Sequence, residues 1–334
     1  MKARRRSTTR ASWRHKLSVG WLGVLVAAAA YSFFLPEYSL APDLRHSSVP
    51  PLSPSHWLGT DPLGQDVWVM LLYGARTALL VSLPAAVLTT ALGTSLGLIA
   101  GYWGNSRLYL PWSYGLAMVL AAACWLVLQT PYSGVAGIWW QLALLAGFGL
   151  LGRALSGLRG WQRPLAVPVD GLVLAAITLL AAVPKLLLVL AVAAAFKPSL
   201  AGLVVLLTLT SWTQSARLVR AEVIRLLRLP YLEAAFMTGL SPWRIMRYHL
   251  LPNAWGPLIT TVPLSIAVFI TLETTLSFLV VGLPLETPSW GRLLALSRLA
   301  PSSWWLLLFP GACLLATTLS LRQLLSFRKQ QDTF

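Results

Sequence analysis

The chain has 334 residues, of which 57% are hydrophobic and 11% charged, and its mean hydropathy is +0.69. This composition excludes an ordinary soluble protein and indicates a membrane protein that crosses the bilayer several times. The net charge of +16 would suggest nucleic acid as the partner of a soluble domain, but cytoplasmic loops of membrane proteins carry such an excess. We therefore expect no nucleic-acid binding. The two cysteines lie inside apolar runs, so we predict neither a disulfide nor a metal site.

The N-terminus is basic and then apolar, with seven Lys or Arg in the first 16 residues and an apolar run over 17–35. A cleaved signal peptide has the same pattern, but it ends in small residues at its cleavage site. Tyr31 and Phe33 stand there instead, and the run approaches the length of a bilayer span. We predict an uncleaved first transmembrane helix with its N-terminus in the cytoplasm.

Further apolar runs follow along the chain, separated by Pro-, Gly- or Arg-containing loops. With the first span they predict a polytopic all-α membrane protein of about eight spans. The predicted spans after the first cover 77–101, 108–128, 138–151, 169–196, 200–212, 257–281 and 304–321.

The distribution of Lys and Arg tests this topology. If both termini are cytoplasmic, 20 of the 26 basic residues lie in cytoplasmic segments, as the positive-inside rule requires. The predicted hairpin at 108–151 crosses the membrane twice, so the later loops lie on the same side of the membrane whether the chain has six spans or eight. The topology implies a basic cytoplasmic N-terminus (1–16), the first helix and an external loop (17–76), a second span (77–105), a hydrophobic hairpin with a basic loop (106–164), the remaining spans with a cytoplasmic loop at 217–253 (165–325) and a cytoplasmic tail (326–334).

The segment 217–253 is the longest polar interval between two apolar runs, and it carries six arginines against two glutamates. Pro230 followed by Glu233 predicts a helix start, because proline suits the first helical position and the helix dipole favours a carboxylate in the first turn. Gly239 predicts the end of this helix, and a second short helix is predicted from Trp243 to Leu250. An ordinary basic loop held by anionic lipid head groups is the competing interpretation for the arginines.

The same segment resembles the EAA loop of permease subunits of binding-protein-dependent ABC importers. The resemblance rests on Glu233-Ala234-Ala235, on Gly239 and on Leu251-Pro252, at the family's spacing and in its cytoplasmic position. It implies a coupling helix around Tyr231 that a cytoplasmic ATPase subunit holds. We expect the apolar Leu232, Ala235 and Phe236 to fit a groove of that subunit.

Two further segments are similar to the C-type permease subunit for dipeptides and oligopeptides. One is His56–Asp66 followed by Leu71–Thr77, and the other is Glu273–Leu279 followed by Pro288–Gly291. The first departs from the family pattern at Gln65, where an arginine is usual. Lys185 is a second departure from the family pattern, in another segment. The region 106–164 has no counterpart in the family's six-span core.

The resemblance implies a subunit that forms half of a translocation pathway for di- or oligopeptides. Its implied partners are a second similar permease, two cytoplasmic ATPase subunits that use ATP and magnesium, an external solute-binding protein, and the lipid of a prokaryotic inner membrane. The chain has no Gly-x-x-x-x-Gly-Lys phosphate loop, so we expect it to be no enzyme and to bind no cofactor itself.

Lys185 and Glu273 are charged residues within predicted spans, where a charge by default marks a cavity or a partner. A place in the translocation pathway is one interpretation. A position of Lys185 nearer the membrane surface, or a pair between the two residues, is the other. The resemblance includes a glutamate at position 273, which favours a packing role for it.

Asp61, Asp66 and Arg76 border the predicted external face. They are candidates for contacts with the solute-binding protein or for the pathway entrance. Capping of turns by the aspartates is the simpler interpretation.

Other classes of function remain open. Related permeases carry nickel or other small solutes. An ATP-independent secondary transporter would show paired halves and intramembrane acids, and neither is evident. A membrane enzyme would need a catalytic constellation, and we identify none.

Overall fold

The structure is a computed structural model that describes residues 2–35, 43–54, 56–111, 164–284 and 286–331, with isolated residues between 113 and 154. The chain forms two compact units. The larger comprises Met1–Leu98 and Ile177–Phe334, and the smaller comprises Ile99–Ala176.

The described fold is built from α-helices, as the composition predicts. The helices are α1 (Lys2–Tyr31), α2 (Val67–Trp103), α3 (Val169–Ala182), α4 (Lys185–Ala195), α5 (Leu200–Ser211), α6 (Thr213–Leu226), α7 (Pro230–Met237), α8 (Pro242–Ile245), α9 (Leu251–Phe278), α10 (Trp290–Leu296) and α11 (Trp305–Gln331).

In the described residues three helical stretches are long and apolar enough to cross a membrane: Val67–Trp103, Thr261–Phe278 and Trp305–Leu324. The pair α3 and α4 adds a fourth if it counts as one broken span, whereas α5 is apolar but shorter. Helix α1 contains most of the predicted first span. Most of the predicted hairpin at 108–151 lies outside the described residues.

The predicted span 169–196 is wrong as a single helix, because α3 and α4 meet at a bend of 85°. Pro184 explains the break. It has no N–H for a helical hydrogen bond, and its ring disfavours a helical conformation at Val183. The bend places Lys185 at the first position of α4.

Two other helices extend beyond their predicted limits. Helix α2 begins at Val67, ten residues before the predicted second span, because the Asp66 carboxylate accepts a hydrogen bond from the Trp68 N–H at 2.8 Å and caps the helix. The second short helix, predicted to end at Leu250, does not end there. A π-helical turn over Met246–Leu250 leads directly into α9, so the helical chain continues past Pro252.

The smaller unit contains a two-stranded antiparallel ladder. Its strands are β1 (Tyr109–Pro111) and β2 (Pro164–Ala166), with Tyr109 opposite Ala166. The ladder brings together the two ends of the predicted insertion 106–164.

In the larger unit α1 packs along α11. The Trp21 indole N–H donates to the Thr317 hydroxyl at 3.0 Å, and the Ser18 hydroxyl donates to the Gln323 amide oxygen at 2.6 Å. A core of buried apolar side chains continues from these helices to the first turns of α2, to α9 and to α10.

Candidate functional site

Helix α7 forms where the sequence predicts the coupling helix. Leu229 precedes it in an extended conformation, Pro230 is its first residue, and Glu233 lies in its first turn. Thr238 ends it, with its backbone N–H bonded to the Ala234 carbonyl oxygen at 3.1 Å. The predicted helix start is therefore confirmed.

The structure corrects the predicted docking side of α7. Leu232 is fully buried and Ala235 nearly so, which means that they hold the helix on its own protein. The outward side instead presents Tyr231, Phe236 and Met237, and Met237 is 89% exposed. Glu233 and Ala234 are exposed beside them. A partner would therefore meet this second side of the helix.

Gly239 gives the tight exit from α7. Its φ of +72° lies in the left-handed region, which a residue with a Cβ rarely adopts. The turn leads through Ser241 into α8, where Trp243 is 69% exposed. We define the coupling surface as the exposed large side chains of α7, α8 and the π-helical turn: Tyr231, Phe236, Met237, Trp243 and Tyr248.

Leu251 and Pro252, the last motif residues, start α9 and do not belong to the coupling surface. They lie ahead of Ala254 and Leu258, which are almost completely buried. The Asn253 amide donates to the His249 carbonyl oxygen at 2.6 Å and stabilises this start. This part of the motif therefore joins the coupling surface to a membrane-length helix.

The N-terminal end of the segment 217–253 lies in α6, which packs closely against α2. A Cβ added at Gly93 would lie 2.6 Å from the Trp212 carbonyl oxygen, and one at Gly97 would lie 2.5 Å from the Ala216 carbonyl oxygen. The two glycines thus let α2 and α6 approach backbone to backbone, as small residues four apart do in membrane helices. Helix α6, which precedes α7, is therefore packed tightly against α2.

The two other segments that resemble the peptide permeases pack against each other at the far end of α9. The Trp290 indole N–H donates to the Leu71 carbonyl oxygen at 3.1 Å, and the Thr77 hydroxyl donates to the Pro288 carbonyl oxygen at 2.8 Å. A Cβ at Gly291 would lie 2.2 Å from the Thr274 carbonyl oxygen. We call Thr60–Thr77 with Pro288–Trp305 the outer cluster.

Within the outer cluster the aspartates cap turns. Asp61 is fully buried and accepts hydrogen bonds from the N–H groups of Leu63 and Gln65 at 2.9 and 2.7 Å. Burial raises the pKa of the Asp61 carboxyl, against the lowering effect of these bonds and of the charge of Arg292. Asp66 caps α2 and also bonds to the His56 ring at 2.9 Å. These bonds match the capping interpretation.

Arg76 lies over the ring of Phe33, with the guanidinium carbon 3.9 Å from the ring centroid. This stacking joins α2 to the residues after α1. The contact gives Arg76 a structural role, and a contact with a solute-binding protein stays a prediction.

Lys185 and Glu273 do not pair with each other. The Lys185 ammonium lies 5.4 Å from the centroid of the Phe269 ring. Glu273 is 1% exposed and accepts a hydrogen bond from the Ser277 hydroxyl at 2.9 Å and another from Thr274 at 3.3 Å. Its surroundings favour the packing role. A pathway role for Lys185 stays a prediction.

The described residues contain no group of three or more His, Cys, Asp or Glu side chains that could hold a metal ion. Sequence reasoning missed the glycine contacts of α2 and the exposed Met237 and Trp243. The Gly-x-x-x-Gly spacing at 93–97 could have predicted the glycine contacts of α2.

Comparison with known proteins agrees with these features. The family model for the inner membrane component of binding-protein-dependent transport systems matches residues 163–330, which include the coupling surface and the second segment of the outer cluster. A putative peptide transport system permease protein of Brucella suis is 29% identical over 267 residues, 80% of this chain and 69% of the relative.

Two relatives from Bacillus subtilis extend the match along the chain. The dipeptide transport system permease protein DppC is 28% identical over 315 residues, 91% of this chain and 79% of the relative. The oligopeptide transport system permease protein OppC is 26% identical over 308 residues, 91% of this chain and 80% of the relative. Since the family model covers half of the chain, the protein belongs to the inner membrane components of binding-protein-dependent transport systems.

Proposed function

We propose that the chain is one of two permease subunits of an ATP-driven importer of di- or oligopeptides. The named relatives that match over most of their length are peptide permeases, and this supports a peptide substrate. The chain supplies half of the translocation pathway, and two cytoplasmic ATPase subunits hydrolyse ATP with magnesium. An external solute-binding protein delivers the peptide.

One observation carries the coupling role. Helix α7 is held by one buried side, through Leu232 and Ala235, and its other side carries exposed Tyr231 and Met237. Exposure of such apolar side chains to water does not stabilise a loop, whereas a groove in a partner protein would bury them. ATP-driven closure of the ATPase pair then moves α7 and, through α6 and α9, the spans on either side of it.

The proposed orientation has both termini in the cytoplasm of a prokaryotic cell and the coupling surface on the same side. The distribution of Lys and Arg supports it. The outer cluster then lies on the external side, because α9 separates it from the coupling surface by 28 residues, about 42 Å of helix.

Two alternatives are compatible with the same fold. Import of nickel or another small solute would use the same coupling surface and differ in the binding protein. An ATP-independent secondary transporter would need no coupling surface, so the exposed side of α7 argues against it.

The coupling role is tested by purification of the tagged protein from native membranes in detergent. Wild type, Met237→Asp and a Glu233→Lys, Gly239→Trp double variant are compared, and co-purifying proteins are identified by mass spectrometry. We expect an ATPase subunit and a second permease with the wild type. We expect both coupling variants to lose the ATPase and retain the permease.

Ser106→Asp is the matched control, since it adds a carboxylate to an exposed residue of the proposed cytoplasmic side that does not belong to the coupling surface. It should retain every partner. If the wild type is isolated alone and moves solute in liposomes without ATP, the importer function is wrong. If Met237→Asp retains the ATPase, the coupling surface lies elsewhere.

A further inference from the structure

A cavity of about 450 Å³ is lined in part by the outer cluster, at the end of α9 that is distant from the coupling surface. Its walls come from the end of α9, the loop that follows, and α10. They include apolar Leu283 and Leu296 and polar Thr287, Arg292 and Arg298. The volume falls within the range of small-ligand sites, about 300–1,000 Å³.

The cavity concentrates positive charge. Arg292 and Arg298 are the basic residues of the segment 279–304, and Glu286 is its one acidic residue. Glu286 is not among the residues that line the cavity. Asp61 lies near enough for Arg292 to lower the pKa of its carboxyl, so Arg292 has a partial counter-charge. Arg298 lacks an acidic partner of this kind among the ion pairs of the described residues.

The Arg298 side chain is oriented by an aromatic ring. Its guanidinium carbon lies 3.7 Å from the centroid of the Phe278 ring. Stacking of this kind fixes the plane of the guanidinium and leaves its edge N–H groups available for a planar acceptor. A carboxylate is the acceptor that matches this edge, with two parallel hydrogen bonds.

We propose that this cavity receives the C-terminal carboxylate of the transported peptide, with Arg298 as the principal ligand and Leu283 and Leu296 against the last side chain. The inference rests on the proposed peptide import. It adds that the permease itself, and not the binding protein alone, recognises the peptide at the external end of the pathway.

The rival occupant is an acidic side chain of the solute-binding protein. Arg298 is exposed and could make such a contact, but the apolar Leu283 and Leu296 that line the same cavity suit a peptide end that carries both a carboxylate and a side chain. The experiment separates these two occupants.

The test uses the complete importer in liposomes, with the dipeptide Ala-Phe outside and ATP inside. Arg298→Gln should lower the number of peptides imported per ATP hydrolysed by about tenfold, the effect of one lost charge-assisted hydrogen bond. Arg298→Lys should retain part of the activity, because a charge remains without the planar fork. Arg45→Gln, which removes an exposed external cation outside the cavity, should match the wild type.

A second measurement locates the peptide directly. A dipeptide with C-terminal benzoylphenylalanine is photo-crosslinked to the complex during turnover, and the adduct is mapped by mass spectrometry. We expect it within residues 277–299, with less of it in Arg298→Gln.

The outcomes distinguish the two proposals. If the wild type imports no peptide, both the proposed function and this inference are overturned. If the wild type imports peptide but Arg298→Gln transports within twofold of it, or the adduct maps elsewhere, this inference alone is wrong. If Arg298→Gln instead abolishes stimulation of ATP hydrolysis by the peptide-free binding protein, the arginine docks that protein, and the peptide site is wrong.

Discussion

The segment that carries the coupling surface resembles the EAA loop of importer permeases, and the outer cluster resembles the peptide permeases, yet the structure uses these residues in opposite ways. In the outer cluster the residues that carry the resemblance are mostly buried and bonded to each other: Trp290 donates to Leu71, and Gly291 touches the backbone of α9. At the coupling surface Glu233 and Ala234 are exposed, and Gly239 has open space around it.

This difference indicates what each motif does. A buried motif specifies how the subunit packs, whereas an exposed one specifies what the subunit binds. Substitutions of the buried motif residues in the outer cluster should therefore reduce stability first, and those at the coupling surface should remove a partner from a protein that remains folded. The following predictions would break or sharpen this contrast.

The largest effect is expected for Gly291→Leu. Its Cβ would lie 2.2 Å from the Thr274 carbonyl oxygen and 2.6 Å from the Ser277 Cβ, so α9 and α10 would have to separate. We expect little folded protein by size-exclusion chromatography in detergent. Gly311→Ala is the matched control, because its added Cβ meets no atom within 4 Å apart from the adjoining backbone of its own helix. A folded Gly291→Leu would refute the close contact.

The next largest effect is expected from substitutions on the buried side of α7, compared with its exposed side. Leu232→Ala removes a fully buried side chain and should destabilise the protein by about 3 kcal/mol. Met237→Ala, on the exposed side, should leave the melting temperature unchanged and weaken capture of the ATPase. Thermal unfolding and pull-down of both variants test this, and equal melting temperatures would contradict the assignment of the two sides.

Trp290→Phe should have a moderate effect of about 2 kcal/mol, because it leaves the Leu71 carbonyl oxygen without its indole donor in a buried site. Trp304→Phe is the control, since Trp304 is 56% exposed. Melting temperatures in detergent provide the measurement. A loss of ATPase capture without loss of stability would place Trp290 in coupling instead of packing.

A smaller effect is expected for Lys185→Met. It removes the contact with the Phe269 ring, which contributes about 1 kcal/mol. Peptide uptake decides between structure and pathway: unchanged transport removes the pathway role, and a large loss in a stable variant establishes it. Lys197→Met, on a neighbouring loop of the same unit, serves as the control for loss of one cation.

The smallest effects are two opposite dependences on pH. Burial raises the pKa of Asp61 above its ordinary 3.8, so its stabilisation is complete below that value and is lost as pH rises through the raised pKa. The hydrogen bond with His46 lowers the pKa of Asp43, so its stabilisation is present above 3.8 and is lost as pH falls through the lowered pKa.

Melting temperatures measured between about pH 3 and pH 7 test both signs. Asp61→Asn should remove a gain in stability on acidification, and Asp43→Asn should remove a loss. If both variants change the profile in the same direction, the burial of Asp61 is wrong.

The sequence by itself determined the membrane class, the all-α fold, the position of α7 and the family, because these depend on local composition and on spacings along the chain. Each of these signals lies within a short stretch of the chain: the apolar runs, the Pro–Glu helix start, and the spacing from Glu233 to Gly239. The capping of turns by Asp61 and Asp66 also involves only residues a few positions apart, and their hydrogen bonds match this interpretation.

Only the tertiary structure decided which side of α7 is outward, that Glu273 is bonded to Ser277 and not to Lys185, and that two arginines share a cavity. A short helix with apolar residues all round has no side that its periodicity identifies as buried. Burial and pairing are instead set by contacts between residues distant in the chain, such as Trp290 with Leu71, and no local pattern contains them.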